Sequence, residues 1–525
     1  MMRERDVAAY SRNILESVWS VTPDAAIEAG RLPPVLWEDP TQGGREAVRD
    51  RIELLLKDLD QFDSDSASAD LRAAMRFHLL SAASLVTSRD ISELNHMTGP
   101  VARLSWASRS WPQREDPRFD SYVERLRAFP AYVSDLVREI RAASETVRGS
   151  APVLHAFVSQ VDTLFATRAS GPDPLLHGMT AAREQGNSVA GMSPEVVERV
   201  YQALAELRSV AVAELVTAVP AAPWAFAPSG QDRYREAIFR GTSVPLSPER
   251  LEAIGLELLR ATETEFTALA GRDFARELIP GDEIMRRFAD AHELLTSASR
   301  VLVERWPMAQ CQVEPMPETN ASTGPPAFYG PSSYRNGRPG SLFVNAMLPT
   351  STRLSEVLPL AMHEGVPGHH LQIALLDEND AVPEVLRLLP VNAFTEGWAV
   401  YAETLHTEMG LELSELDRLG LLMHQRWRAA RLVTDVGLHV RGWSVEQAVE
   451  FMARHTLQDV GQVRKEVVRY LAWPGQALGY AVGARAIANH IREMAGSGAT
   501  LAAAHTALLD RGSLPLTALT GYDRN

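Results

Sequence analysis

The chain has 525 residues, 45% hydrophobic and 23% charged, enough to bury a large core. Its net charge of −15, with no basic cluster, argues against nucleic acid as a partner, because phosphate backbones are gripped by lysine and arginine. The single cysteine, Cys311, excludes an intrachain disulfide and a cysteine-built metal site.

In chain order, Met1 to Asp6 is charged and no signal-peptide apolar core follows it. No apolar run approaches the roughly 18 residues of a membrane span, so a cytoplasmic protein without a membrane partner is expected. Apolar residues at three-to-four spacing predict helices over Glu46–Asp60, Glu195–Val216 and Pro248–Ala270, with Ser193-Pro194 and Ser247-Pro248 as start signals. Strand signals are scarce and no solenoid-length repeat occurs, so the fold class is mainly α. The proline-rich stretch from Val219 to Gly230 reads as a connection. It divides an N-terminal helical region (1–225), expected to cover a cleft, from a motif-bearing region (226–525), the two forming one integrated unit. Residues 315–341 are rich in proline and glycine and carry Tyr329, Tyr334, Arg335 and Arg338. A long irregular loop of this kind predicts a lid or binding loop. Ser341 to Asn345 reads as a short strand after it.

The densest chemistry follows at His363-Glu364-Gly365-Val366-Pro367-Gly368-His369-His370. In a His-Glu-x-x-His helix, two imidazoles one turn apart hold zinc and the glutamate activates a water. Here the spacing is two residues too long. An unbroken helix would set His363 and His369 about 120° apart, and His370 roughly 10 Å further along the axis than His363. Proline lacks the amide for the turn and glycine accepts unusual backbone angles, so Pro367-Gly368 predicts a helix that bulges outward by two residues. His369 then takes the place of the second ligand, with His370 as the alternative.

A catalytic zinc needs a third protein ligand and one open position. Glu396 and Glu403 share a helical face that is otherwise Ala, Val, Trp and Tyr, where unpaired carboxylates would be costly. Glu396 is the expected ligand, and Glu403 is expected to orient a ligand histidine. Trp398 and Tyr401 read as packing residues, and His406 and His424 as unconnected to the motif. Arg431, Asp435 and His439 recur every four residues on one helix face, with Arg428 a turn earlier. They predict a buried network that supports the site or clamps a substrate carboxylate. Tyr480, ten residues after Tyr470, is the candidate donor to the oxyanion of a hydrolysed carbonyl.

These motifs together resemble the bacterial family known as domain of unknown function 885, placed among zincin-like metallopeptidases. The resemblance rests on His-Glu-x-x-Pro-Gly-His-His-x-Gln (His363–Gln372) and Glu-Gly-Trp-Ala-x-Tyr-x-Glu (Glu396–Glu403). Further support comes from Arg338-Pro339-Gly340 with Val344-Asn345, from Arg431 to His439, from Arg469-Tyr470 and from Pro474 to Tyr480, which includes Gln476. It covers roughly residues 230–490. It implies a helical zincin-like architecture with a deep cleft, one zinc ion or another divalent transition metal per chain, and a strand beside the metal helix that holds extended substrate. In the family the histidine directly after Pro-Gly is the fixed one, in agreement with His369. The implied activity is hydrolysis of a peptide or amide bond in a short peptide or small molecule, with Glu364 as general base. The alternatives are a biosynthetic metalloenzyme dedicated to one metabolite, and a binding protein that has lost catalysis.

Overall fold

A computed structural model describes residues 4–61, 69–87, 91–110, 118–143, 148–171, 173–176, 194–227, 229–279, 283–317, 324–334, 337–346 and 352–521. The architecture is mainly helical with one small sheet. The N-terminal region carries α1 (Glu4–Val21), α2 (Pro23–Glu28), α3 (Gln42–Asp60), α4 (Ala69–Thr87), α5 (Pro100–Ser110), α6 (Arg118–Ala143), α7 (Ala151–Ser170) and α8 (Pro194–Glu214). After the connection come α9 (Gly230–Thr242), α10 (Pro248–Ala270) and α11 (Ile284–Ala298). The predicted helix starts recur here: Ser247 accepts a bond from the Arg250 amide at the head of α10, and Pro194 opens α8.

The sheet is built from β1 (Cys311–Pro315), β2 (Ala327–Gly330) and β3 (Gly340–Val344) in the order β1-β3-β2. β3 pairs in parallel with β1 and antiparallel with β2, Tyr329 facing Leu342. Two expectations change. Residues 315–341 are not wholly irregular, since they contain β2 and the end of β1; strands this short, bounded by prolines, leave no alternation to read. The expected strand is present one residue earlier, as β3, but it is paired on both sides, so it has no free edge to offer a substrate. β1 and β2 are the edge strands.

The remaining helices are α12 (Val357–Glu364), α13 (His369–Asp377), α14 (Glu384–Leu388), α15 (Asn392–Ala402), α16 (Glu415–His439), α17 (Val445–His455), α18 (Val460–Ala472), α19 (Gly479–Gly496) and α20 (Leu501–Leu509). α16 starts at a Ser414–Asp417 capping box and is buried on nearly all sides from Leu419 to His439, which makes it the central post of this half. Its buried Arg426, Arg428, Asp435 and His439 must therefore find partners inside the protein.

The largest core gathers residues from Tyr10 to Val86 together with residues from Trp224 to Leu519. A second core, from Ile27 to Ala211, holds the rest of the N-terminal helices. α1, α3 and α4 thus pack into the same interior as the motif-bearing helices. Among the described residues, no helix is long and apolar enough to cross a membrane.

Candidate metal centre

The octad does not form one bulged helix. It breaks into two: α12 ends at Glu364 and α13 begins at His369. The turn between them is closed by the His370 amide on the Gly365 carbonyl at 3.0 Å and pinned by Trp398, whose indole N–H donates to the Pro367 carbonyl at 2.9 Å. A Cβ at position 368 would lie 2.0 Å from the His363 carbonyl oxygen and 2.3 Å from that of Met362, so only glycine fits. The rings of His363 and His369 end 4.8 Å apart.

Both imidazoles turn their Nε2 atoms on one carboxylate oxygen. Glu396 Oε2, from α15, lies 3.5 Å from His363 Nε2 and 3.6 Å from His369 Nε2. All three ligand atoms fall within 4.8 Å of one another. Ligands about 2.0–2.1 Å from a tetrahedral zinc stand roughly 3.3 Å apart, close to both His–Glu spacings, and two imidazoles with a carboxylate are a donor set suited to zinc. Glu403 Oε1 lies 2.8 Å from His363 Nδ1, placed to hold a proton there whenever Nε2 is given to a metal. Arg428 in turn grips Glu403 with contacts of 2.7 and 2.9 Å, and His424 Nδ1 lies 3.6 Å from its other oxygen. Burial opposes protonation of His363, but its bonds with Glu396 and Glu403 outweigh burial and push its pKa up to about 9. Burial likewise opposes ionisation of Glu396 and Glu403; the imidazoles and Arg428 overcome it and hold both carboxyls well below the usual range. The pocket strongly favours positive charge between these carboxylates.

Glu364 sits beside the cluster and accepts the Tyr329 amide of β2 on Oε2 at 2.9 Å. The outer edge of β2 therefore faces the cleft, in the place expected for β3. A cavity of about 300 Å³ opens here, lined by Phe328, Tyr329, His363, Glu364, His369, Thr395, Glu396 and Tyr480. His370 turns away from it: Nδ1 meets the Tyr329 hydroxyl at 3.0 Å and Nε2 the Ala309 carbonyl at 3.2 Å. Tyr480 reaches the cavity because α15 and α19 touch backbone to backbone, where a Cβ on Gly483 would fall 1.9 Å from the Ala393 carbonyl oxygen. Burial, and then the Glu396 carboxylate, raise the Tyr480 phenol, keeping it a proton donor.

Other residues singled out in the sequence lie elsewhere. Tyr334 and Arg338 sit on an exposed hairpin tip; the Tyr334 amide donates to Asp377 and the Arg338 guanidinium to the Pro331 carbonyl. Arg335 falls outside the described residues. Asn345 is fully buried and bonds to the carbonyls of Pro325 and Pro326, so it shapes the loop rather than the cavity. Asp435 accepts from the Tyr234 hydroxyl at 2.6 Å and from the Gly475 amide, and His439 pairs with the Tyr470 carbonyl at 3.1 Å. Both brace the interior away from the His363, His369 and Glu396 cluster. Gln476 accepts from Arg469 at 2.6 Å and reaches Asn392 at the head of α15. Trp398 and Tyr401 are buried, as read, although Trp398 also holds the octad turn. His424 is tied to the motif after all, through Glu403, a contact between distant segments that no local spacing reveals. A second, larger cavity of about 590 Å³ lies between the N-terminal helices and the far end of α16, lined in part by Arg103, Trp106, Trp224, His439 and Trp473. It shares no lining residue with the cavity at the candidate metal centre.

The sequence profile of a family described as a bacterial protein of unknown function (DUF885) matches residues 23–521. The chain belongs to the DUF885 family. Two solved structures share its fold over nearly the whole length. One, from Colwellia psychrerythraea and described as a "putative lipoprotein", has a TM-score of 0.84 at 22% identity, covering 98% of each chain. The other, from Shewanella oneidensis and described as a "putative lipoprotein of unknown function", has a TM-score of 0.74 at 18% identity, covering 97% of each chain. A search of curated proteins finds no match. The family match extends the resemblance from roughly half of the chain to nearly all of it.

Proposed function

We propose that this DUF885 protein is a metal-dependent hydrolase of zincin-like type that cleaves a peptide or amide bond in a short peptide or small molecule. The observation that carries this reading is the convergence of His363 Nε2, His369 Nε2 and Glu396 Oε2 at one point, with Glu364 beside them in the same cavity. His363, His369 and Glu396 would hold zinc or another divalent transition metal. When bound, such an ion lowers the pKa of water and polarises a carbonyl. Glu364 takes the proton of the attacking water and delivers it to the leaving nitrogen, work that needs a carboxylate free to shuttle between two partners. Its present bond to the Tyr329 amide positions it for this without burying it. Tyr480 offers its phenolic proton to the oxygen on which charge develops. The outer edge of β2 can pair with an extended substrate, whose backbone would replace Glu364 at the Tyr329 amide. A cavity of about 300 Å³ suits a few residues of peptide or a small amide, not a folded protein.

The test is Glu364→Gln. It should leave metal content at one ion per chain while lowering turnover of a cleaved peptide or amide by about 10²-fold or more. Metal analysis, with turnover by chelator-treated and metal-restored protein, reads both. Turnover that survives either the substitution or removal of the metal sinks the reading.

A further inference from the structure

Against Tyr480, two guanidinium groups share one carboxylate, that of Glu466. Arg469 forks onto Glu466 at 3.0 and 2.9 Å and spends its remaining Nη on Gln476 at 2.6 Å. Arg431 is left with a 3.3 Å contact to the same Glu466 oxygen and a 3.0 Å bond to the Tyr470 hydroxyl, and its Nη1 makes no hydrogen bond among the described residues. Its side chain is only 12% exposed, and its guanidinium lies 4.7 Å from the ring centroid of Tyr480, the residue that lines the metal cavity.

The neighbouring carboxylates do not repair the imbalance. Asp435 gives its oxygens to Tyr234 and Gly475, and Glu396 faces the two histidines. A largely buried cation without its own counter-ion is costly. At an enzyme cleft, such a charge is commonly neutralised by the ligand, and a guanidinium with an open N–H is shaped for a carboxylate. Resting on the reading of the metal cavity as the reacting site, we propose that Arg431, supported by Arg469, binds a carboxylate of the substrate, so the substrate is an acidic peptide or amide. The carboxylate could be a C-terminus or an acidic side chain; both offer the same anion.

Direct titration tests this without any turnover. The probes are N-benzoylglycine, N-benzoylglycinamide and the α-amide of N-benzoylaspartate, each titrated into zinc-loaded and chelator-stripped protein, so that binding to the metal itself is separated out. The expected result for stripped wild-type protein is that at least one acid binds about tenfold or more tightly than the neutral amide. The acid that does so identifies the source of the carboxylate. The preference should vanish in Arg431→Met and persist in part in Arg431→Lys, which keeps the charge without the fork. Thermal melting checks that each variant folds; if Arg431→Met does not, Arg469→Met and the wild-type comparison decide. Equal binding of acids and amide by wild type, or a preference that survives Arg431→Met, overturns the inference. A protein that hydrolyses nothing yet shows the Arg431-dependent preference overturns the hydrolase reading alone.

Discussion

His369 and His370 are adjacent in sequence and opposite in use. His369 sends Nε2 to Glu396, whereas His370 spends both ring nitrogens on Tyr329 and Ala309. His369→Ala should therefore abolish stoichiometric metal binding with little change in folding. His370→Ala should keep the metal and lower stability by about 1–3 kcal/mol in urea denaturation, because it empties a buried, doubly bonded position. Equal metal loss in both would refute the assignment. Asp435 carries a different kind of prediction. Burial raises its pKa from 3.8 to about 7, so between those values the folded chain binds a proton the unfolded chain lacks. The contribution of Asp435 to stability is fully present below the lower value and is lost as pH rises through the upper one, by up to about 4 kcal/mol. The wild-type minus Asp435→Asn difference in urea stability should fall from about pH 5 to about pH 8, since buried neutral histidines such as His439, which act with the opposite sign, are common to both proteins and cancel. At this scale the sequence carried the candidate cluster far, because His363, Glu364, His369, Glu396 and Glu403 lie within two short segments whose spacing is meaningful, and the fold brings them together. It did not carry Arg428 or His424 to Glu403, nor Arg469 to Arg431 through Glu466, since those contacts depend on how α16 and α18 cross distant elements.

Helices were legible wherever apolar residues recur over several turns, as in α10, whose bounds match the expected Pro248–Ala270. β1 and β2 were not: CQVEP and AFYG are too short for period-two alternation, and their pairing with β3 is a tertiary fact. The octad shows the same limit, since Pro367-Gly368 announces an interruption without saying whether the helix bulges or breaks. The α15–α19 contact yields a prediction of its own. Gly483→Ala would drive a Cβ to 1.9 Å from the Ala393 carbonyl, so the helices must separate. The expected cost is about 1–3 kcal/mol or more in stability, together with weaker metal binding measured by chelator competition, because Glu396 rides on α15. Unchanged stability and affinity would mean that the crossing is looser than it stands here.

The two regions divided at Val219–Gly230 share their largest core, and they are also stitched by Arg511, near the C-terminus, which forks onto Asp70 of α4 at 2.8 Å through two nitrogens. A chain of residues 226–525 alone would expose the faces that α1, α3 and α4 cover. It should fail to give a cooperative thermal transition by circular dichroism, whereas the full chain melts cooperatively; a soluble, cooperatively folding fragment would show the N-terminal helices to be dispensable. The crossing of α15 and α19 also bears on how the whole molecule tolerates change. No side chain stands between the two main chains at that point, so the gap between the Glu396 carboxylate and the Tyr480 phenol is gauged by peptide dimensions, which are the same in every protein. Substitutions in the surrounding packing can accumulate without resetting it, and the positions able to recalibrate the pair narrow to the few where a hydrogen atom now serves as a side chain.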